Sequence, residues 1–397
     1  MQPLRISHFT TSNCLGLGRE ALFQALRDRR SGLTHCDFET VNLDTYIGRV
    51  PDDELTPLRE DLAEFECRNN RLAQLGLRQD GFEAAVVRAR ERLGSARVGV
   101  FLGTSTSGIL QTELAYRQRD PVSGALPKDF RYAETHNTFS PASFVQRYLG
   151  LTGPAVVVSS ACSSSAKVFG NAQRMIAAGL CDAAVVGGVD SLCLTTLYGF
   201  NSLQLVSTQP CRPFDSERDG ISIGEAAGFV LLEKASEATS ERGLGVFGVG
   251  ESCDAYHMST PHPEGLGARL AMQGALTMAG LNASDIDYIN LHGTATRTND
   301  GTEDLAVHGL FGSNTPASST KGWTGHTLGA AGIIEAIISL IAIEQGFIPG
   351  SLNTRIVDSA IKIRYLLDNR TAPVRYVMSN SFGFGGTNCS VILGQLG

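Results

Sequence analysis

The chain has 397 residues, enough to bury a large core, and its 42% hydrophobic and 18% charged residues are typical of a folded globular protein. A formal net charge of −7, without any run of basic residues, argues against nucleic acid binding. The nine cysteines include no C-x-x-C pair and no zinc-site spacing, so we expect a reduced, cytoplasmic protein without a bound metal.

Short apolar stretches and helical stretches alternate along the chain. The predicted buried strands are, in chain order, RVGVFLGT, AVVVSSA, DAAVVGGVDS, AAGFVLLEKA, DYINLHGT and RYVMSNSFG, and the helical stretches include GREALFQALRDRR and GARLAMQGALTMAG. This alternation predicts an α/β fold with covered, largely parallel or mixed sheets. The polar stretch 233–243 is where we divide the chain, into residues 1–241 and 242–397.

No membrane span is predicted. The N-terminal stretch MQPLRISHFTTSNCLG lacks the basic start and continuous apolar core of a signal peptide. The most apolar stretch, residues 329–346, is short and contains Glu335 and Glu344. We therefore predict that it is a buried core helix.

A single cysteine follows one of the predicted strands. The segment SSACSSSAKVFGNAQRMIAAG places Cys162 between that strand and a helix that Gly179 can end. Backbone N–H groups at a helix start are unpaired and carry the positive end of the helix dipole, so a thiolate there is stabilised as a nucleophile. Taken alone, a cysteine in such a segment is more often a residue that packs as a small hydrophobe.

Three later turns contain further candidate site residues, which are polar or lie among glycines. His292 follows a strand in NLHGTATRTNDGTED, Lys321 and His326 lie in STKGWTGHTLGAAG, and Phe384 lies among glycines in SNSFGFGGTN. The Cys162 and Lys321 segments both place small and hydroxyl residues and a reactive side chain ahead of a long apolar helix. This internal similarity indicates two related halves that face each other.

Six segments in a fixed order extend the pattern over nearly the whole chain: SSACSSS, CRPFDSERDGISIGEAAG, DAYHMSTPHPEG, HGTATRTND, KGWTGHTLGAAG and NSFGFGGTN. Together they resemble the β-ketoacyl-ACP synthases, the condensing enzymes of fatty-acid and polyketide assembly. The resemblance implies a thiolase-like fold, with two related α/β halves in a layered αβαβα arrangement. It also implies an acyltransferase that performs a decarboxylative Claisen condensation of a cysteine-bound acyl chain with malonyl-ACP, giving a β-ketoacyl-ACP.

The resemblance assigns roles residue by residue. The family's Cys-His-His set falls on Cys162, His292 and His326, and the lysine of its elongating branch falls on Lys321. In that scheme Cys162 is acylated, and two imidazole N–H groups stabilise the enolate that remains after CO2 is lost. The backbone N–H groups of Cys162 and Phe384 would form the oxyanion hole.

Supporting residues follow from the same resemblance. Glu303 resembles the acidic residue that pairs with the lysine, and Phe384 resembles the gate between the acyl pocket and the entrance. Thr294 and Thr296 resemble the hydroxyls that bind the phosphopantetheine arm. No cofactor is implied, because the phosphopantetheine of the acyl carrier protein (ACP) carries the substrates.

Several alternatives stay open at this point. Arg297 and Asn299, in ATRTND, depart from the family pattern near the pantetheine path, which is compatible with fatty-acid elongation or with specialised polyene or polyketide-like chains. The partner is a second copy or a chain-length-factor-like homologue, and Cys162 argues that this chain is the catalytic half. A CoA-dependent thiolase is less well supported, because thiolases use a second cysteine near the last glycine-rich turn and we predict that Cys389 is a strand core residue.

Carrier docking needs a local basic patch, because ACPs of this family are acidic and the chain itself is net negative. Arg68 and Arg71 are three residues apart in a helix-like stretch and can share one face. Lys128 and Arg131 fall where the family often has further basic residues. We predict docking at these four residues, for which ordinary solvated charges are the alternative.

Overall fold

The computed structural model describes residues 2–234 and 243–397. The predicted division of the chain between residues 241 and 242 lies outside the described residues and stays a prediction. Strand and helix alternate as expected, and each predicted strand coincides with one in the structure. The strands are β1 (Leu4–Asn13), β2 (Gly16–Leu17), β3 (Thr34–His35), β4 (Tyr46–Gly48), β5 (Val98–Gly103), β6 (Ala155–Val158), β7 (Ala183–Asp190), β8 (Ile223–Gly224), β9 (Ala226–Lys234), β10 (Gly243–Cys253), β11 (Tyr288–Asn290), β12 (Pro316–Ser318), β13 (Phe347–Ile348), β14 (Arg364–Tyr365), β15 (Arg370–Thr371), β16 (Tyr376–Gly383) and β17 (Thr387–Leu396).

The helices occupy the connections between these strands. They are α1 (Gly18–Arg27), α2 (Arg68–Leu77), α3 (Phe82–Leu93), α4 (Ile109–Arg117), α5 (Tyr132–Thr135), α6 (Ser140–Tyr148), α7 (Ser164–Ala177), α8 (Leu194–Ser202), α9 (Leu266–Ala279), α10 (Arg297–Phe311), α11 (Lys321–Thr324) and α12 (Ala331–Gln345). Two 3-10 turns also matter for the site, Leu328–Ala330 and Phe384–Gly386.

Ten of the twelve strands of the main sheet form two groups with the same internal order, while β14 pairs with β12 at one edge and β2 pairs with β1. The first group runs β6-β5-β7-β9-β1 and the second runs β12-β11-β16-β17-β10. Numbered by appearance within its group, each follows the order 3-2-4-5-1, and the two groups join where β1 pairs antiparallel with β10. In both groups the first three strands in this order pair with one another in parallel. The fourth strand pairs antiparallel with the third and with the fifth. The predicted pair of related halves is confirmed.

The helices complete five layers. α7 and α12 contact strands of both groups and form the central layer, α2, α3 and α6 cover the first group, and α9 with α10 beside it covers the second. This is the predicted αβαβα arrangement. The segment Leu328–Gln345 has the length and composition of a membrane-crossing helix and is 89% buried, as predicted for a core helix.

Glycines allow the N-termini of α7 and α12 to meet closely. A Cβ atom at Gly332 of α12 would lie 2.7 Å from the amide nitrogen of Ala166 of α7, and one at Gly103 of β5 would lie 2.3 Å from that of Ser165, so α7 also lies close against β5. The hydroxyl oxygen of Ser165 accepts a hydrogen bond from the amide of Ile333 at 2.9 Å. The turns that precede the two helices, which contain Cys162 and His326, are thereby brought together.

Candidate active site

Cys162 lies in a tight turn between β6 and α7, as predicted from the sequence. Ala161 before it has a left-handed backbone, with φ at 51°, and α7 begins two residues after it, at Ser164. Cys162 as a whole residue is 6% exposed. The turn therefore presents one buried sulfur to a cavity.

His326 is the direct neighbour of this sulfur. Its Nε2 atom lies 3.0 Å from Sγ of Cys162, and its Nδ1 accepts a hydrogen bond from the amide of Leu328 at 3.2 Å. Because an acceptor nitrogen carries no proton, the neutral ring has its proton on Nε2. His326 thus directs an N–H group toward the sulfur and the cavity.

His292 has the same protonation pattern through a different neighbour. Nζ of Lys321 lies 3.3 Å from Nδ1 of His292 and also donates to the carbonyl of His292 and to the carboxylate of Glu335. These three acceptors use all three N–H groups of the ammonium. The ring of His292 lies 5.4 Å from that of His326, at 83°, so the two imidazoles meet edge to face.

The prediction that Lys321 pairs with Glu303 is wrong. Glu303 accepts hydrogen bonds from the amides of His292 and Gly293, both at 2.8 Å, and so holds the backbone of the histidine turn. The partner of Lys321 is Glu335, which α12 places beside it and which is equally buried. The sequence analysis noted Glu335 but did not identify it as the partner of Lys321, although an acidic residue within an apolar helix is a recognisable signal. Burial raises the pKa of both carboxyl groups to about 7.

Burial also decides the protonation of the catalytic candidates. It raises the pKa of the Cys162 thiol to about 11, although the charge of Lys321 and the amide of Phe384 act in the opposite direction. It lowers the pKa of His292 and of His326 well below the ordinary value, and the charge of Lys321 lowers both further. The sequence-based expectation of a stabilised thiolate is therefore wrong for the resting site, which holds a neutral thiol and two neutral imidazoles.

One cavity of about 220 Å³ is lined by most of the predicted site residues, whereas Lys321 and Glu303 are not among its lining residues. Cys162, His292 and His326 line it together with an apolar group, Phe200, Leu203, Leu205 and Ile221, and a polar group, Ser259, Thr260, Thr294, Thr296, Thr298 and Asn299. The ring of Phe384 also lines the cavity and lies 5.7 Å from the ring of Phe200. The sequence pointed to the Cys, His, Thr and Phe384 positions but not to the apolar group, which comes from α8 and the residues that follow it.

The two predicted pantetheine-binding threonines lie side by side. Their Oγ1 atoms are 2.9 Å apart, and Thr296 also caps the start of α10 by accepting from the amide of Asn299. Of the two unusual residues that follow, Asn299 lines the cavity, whereas Arg297 is exposed and donates to the carbonyl of Ser216 at 3.5 Å.

A soft metal ion would find three ligand atoms here, since those of Cys162, His292 and His326 lie within 4.8 Å of one another. Ligation would require a lone pair on Nε2 of each histidine. The donors at Nδ1, from Leu328 and Lys321, keep protons on those Nε2 atoms instead. The arrangement is suited to N–H donation.

Of the first pair of predicted docking residues, Arg68 is contradicted by its burial, whereas the side chain of Arg71 is 35% exposed and its role in docking stays a prediction. The side chain of Arg68 is only 13% exposed and donates to the buried carboxylate of Glu225 at 2.9 Å. Arg71 pairs with Glu66. Lys128 and Arg131 are exposed, as docking would require.

Cys389 is buried in β17 at 0% exposure, in agreement with its predicted place in a strand core. It is also absent from the residues that line the described cavity. This position gives no support to a two-cysteine thiolase mechanism.

The chain matches two family models, "Beta-ketoacyl synthase, N-terminal domain" over residues 10–238 and "Beta-ketoacyl synthase, C-terminal domain" over residues 245–355. It is 43% identical over 259 residues to 3-oxoacyl-acyl-carrier-protein synthase 2 of Rhizobium meliloti, covering 61% of each chain. It is 31% identical over 406 residues to the protein of the same name from Vibrio cholerae, covering 95% of each. The chain spans about three fifths of the length of the Rhizobium relative and of a mitochondrial synthase from Arabidopsis thaliana.

Solved structures resemble the whole chain. A ketosynthase in complex with its chain length factor from Xenorhabdus doucetiae superposes with a TM-score of 0.90 at 38% identity, covering 100% of this chain and 98% of that one. The ishigamide ketosynthase/chain length factor superposes with a TM-score of 0.88 at 27% identity, covering all of both chains.

Proposed function

Because the chain belongs to the β-ketoacyl synthase family, we propose that it condenses a Cys162-bound acyl chain with malonyl-ACP, releasing CO2 and giving a β-ketoacyl-ACP. The observation that carries the proposal is the convergence of one buried thiol and two imidazole Nε2–H groups on a single cavity. The reaction needs a nucleophile for the acyl chain and N–H donors for the charge that develops on oxygen. The cavity offers both.

In the first step Cys162 takes an acyl group from a carrier thioester. The sulfur bonds to the carbonyl carbon, the carrier sulfur leaves, and the proton of the Cys162 thiol ends on the carrier thiol. Because this exchange consumes no proton overall, it is compatible with a thiol whose pKa is raised to about 11. The backbone amides of Cys162 and Phe384 both lower the pKa of the Cys162 thiol, and they are the donors that we assign to the oxyanion.

In the second step malonyl-ACP occupies the cavity and loses CO2. The electron pair of the broken bond forms an enolate, and Nε2–H of His292 and of His326 donate to its thioester oxygen. The enolate carbon then attacks the acyl carbonyl on Cys162. The β-ketoacyl-ACP forms, and the sulfur leaves as a thiolate that takes up one proton.

The remaining residues prepare these donors. Lys321 fixes the Nδ1 side of His292, Glu335 neutralises the lysine, and Glu303 holds the backbone of the histidine turn. We assign Thr294 and Thr296 to the phosphopantetheine arm and Phe384 to the gate. The carrier supplies the only prosthetic group in this scheme, so we propose an enzyme without a cofactor of its own.

We propose that the chain works as the catalytic half of a heterodimer with a chain-length-factor-like homologue, in polyketide or polyene-like elongation. The full-length similarity to a ketosynthase described in complex with its chain length factor supports this choice over a fatty-acid homodimer. Strand β6 forms one edge of the main sheet and is apolar throughout, which makes it available for pairing. Nine free cysteines, all among the described residues, support a cytoplasmic location.

Mass spectrometry tests the proposal. The chain, alone and co-expressed with a candidate chain length factor, is mixed with a panel of acyl-ACPs and malonyl-ACP, and the carrier-bound products are weighed. We expect acylation on Cys162 and products that are two carbons longer. The Cys162→Ala variant should be inactive and Cys253→Ala, which removes an exposed thiol, should be active. Acylation of another cysteine, or condensation only with acetyl-CoA, would contradict the proposal.

A further inference from the structure

The residue before the nucleophile is held in an unfavourable conformation by hydroxyl groups. Ala161 has φ at 51°, a left-handed conformation that costs a residue with a Cβ atom about 1 kcal/mol or more. Its carbonyl oxygen accepts hydrogen bonds from Oγ of Ser105 at 3.2 Å, Oγ of Ser164 at 2.6 Å and the amide of Ser164 at 3.2 Å. Ser164 belongs to the same turn, whereas Ser105 comes from the loop after β5.

Ser105 is itself held by a buried carboxylate. Its amide donates to both oxygens of Asp190, at 2.8 and 3.0 Å, and Asp190 is 0% exposed. The hydroxyls of Thr104 and Thr106 and the amide of Thr106 donate to the same carboxylate. This set of hydrogen bonds fixes the loop and leaves the Ser105 hydroxyl directed at Ala161.

The same loop also borders the His326 turn. A Cβ atom at Gly329, in the 3-10 turn after His326, would lie 2.7 Å from Oδ2 of Asp190 and from the amide and hydroxyl of Ser105. Only a glycine permits this approach. The Ser105 loop therefore lies between the turn of the nucleophile and the turn of its neighbouring histidine.

The carbonyl of Ala161 and the N–H of Cys162 belong to one planar peptide group. A hydrogen bond to the carbonyl polarises this group, which strengthens its N–H as a donor, and fixes the direction in which the N–H points. We propose that Ser105, held by Asp190, is a positioning residue for the oxyanion hole, acting through the Ala161–Cys162 peptide without touching substrate. The proposal rests on the proposed function in one respect, the use of the Cys162 amide as an oxyanion donor.

The test replaces Ser105 by alanine. In single-turnover acylation by acyl-ACP we expect the Ser105→Ala variant to react roughly tenfold more slowly, below the 100- to 1,000-fold loss typical when a direct oxyanion donor is removed. CO2 release from malonyl-ACP, which uses the two histidines, should change by less than about twofold. The Ser105→Thr variant retains the hydroxyl and should restore acylation.

Ser7→Ala is the matched control. Ser7 lies in β1, far along the chain from the site, and its Oγ donates to the carbonyl of Leu231 at 3.3 Å. Its rates should equal those of the unmodified protein. The second readout needs no carrier: alkylation of Cys162 by iodoacetamide at fixed pH should slow in Ser105→Ala, because the same N–H stabilises the thiolate.

Unchanged acylation and alkylation in Ser105→Ala would overturn the proposal. So would an equal loss of acylation and CO2 release together with a lowered melting temperature, which would indicate a general structural role. If no acyl-ACP acylates the unmodified protein, the proposed function fails, and the alkylation comparison still decides whether Ser105 acts on the Cys162 amide.

Discussion

Nε2 of His326 lies 3.0 Å from Sγ of Cys162, and both side chains are buried. Since the amide of Leu328 donates to Nδ1 of the same ring, the histidine faces the sulfur as a proton donor. A histidine in this state does not take the thiol proton. The site therefore differs from a thiolate–imidazolium pair, and this difference is measurable.

The pH dependence of Cys162 alkylation should report a high thiol pKa. Burial raises that pKa to about 11, so the reactive thiolate is scarce at neutral pH and its fraction rises about tenfold per pH unit up to that value. Iodoacetamide labelling of the Cys162 peptide, followed by mass spectrometry, measures the profile. Labelling of Cys253, which is exposed, supplies a reference in the same digest. A rate that levels off near pH 7 would indicate an ion pair with His326.

Loss of either histidine should affect decarboxylation most. In His292→Ala and His326→Ala we expect CO2 release from malonyl-ACP to fall roughly 100- to 1,000-fold, because the enolate oxygen loses one N–H donor. Acylation of Cys162 should remain measurable, since the oxyanion of that step faces backbone amides. His35→Ala, which removes an exposed histidine paired with Asp44, is the control. Normal CO2 release in both cavity variants would refute the assignment.

A double-mutant cycle can identify the ion-pair partner of Lys321. Replacing Glu335 by leucine leaves a buried ammonium unpaired and should lower the free energy of unfolding by about 3 kcal/mol, and adding Lys321→Met should recover much of that loss. The same cycle with Glu303→Leu should give a smaller coupling energy, because Glu303 binds backbone amides. Urea unfolding supplies the values. A larger coupling of Lys321 to Glu303 would reinstate the pair expected from the family.

Charge reversal at Arg68 should damage the fold. In Arg68→Glu a new carboxylate lies against the buried Glu225 and against Asp52, so we expect a loss of about 3 kcal/mol or more in the free energy of unfolding. Thermal unfolding and turnover of a small pantetheine thioester should both decline. A stable variant with impaired turnover of acyl-ACP alone would instead restore Arg68 as a docking residue.

Carrier docking is better tested at Lys128 and Arg131, which are exposed. Replacing both by glutamate should raise the apparent KM for acyl-ACP, most strongly at low salt where screening is weakest. Turnover of the small pantetheine thioester, which has no carrier to dock, should stay the same. An equal loss with both substrates, or no change with ACP, would argue against docking there.

Local sequence patterns were sufficient to predict many of the strands and site residues of this protein. The apolar runs of β5, β7 and β9 predicted those strands nearly to the residue, because a buried strand needs consecutive apolar side chains whatever surrounds it. The site residues Cys162, His292, Lys321 and His326 follow strands in small-residue turns, and a motif of that kind is visible in one dimension. The internal similarity of two segments likewise indicated the two halves that the strand orders confirm.

Tertiary structure decided which groups meet and how they are charged. Arg68 and Glu225 are 157 residues apart, and Lys321 and Glu335 are on opposite sides of the His326 turn, so no local pattern selects Glu225 for Arg68, or Glu335 over Glu303 for Lys321. The protonation state of the Cys162 thiol could not be predicted from the local sequence either. A helix start in water favours the thiolate, but packing of α7 against α12 buries the sulfur, and the cost of removing a charge from water exceeds the stabilisation by nearby amides and Lys321.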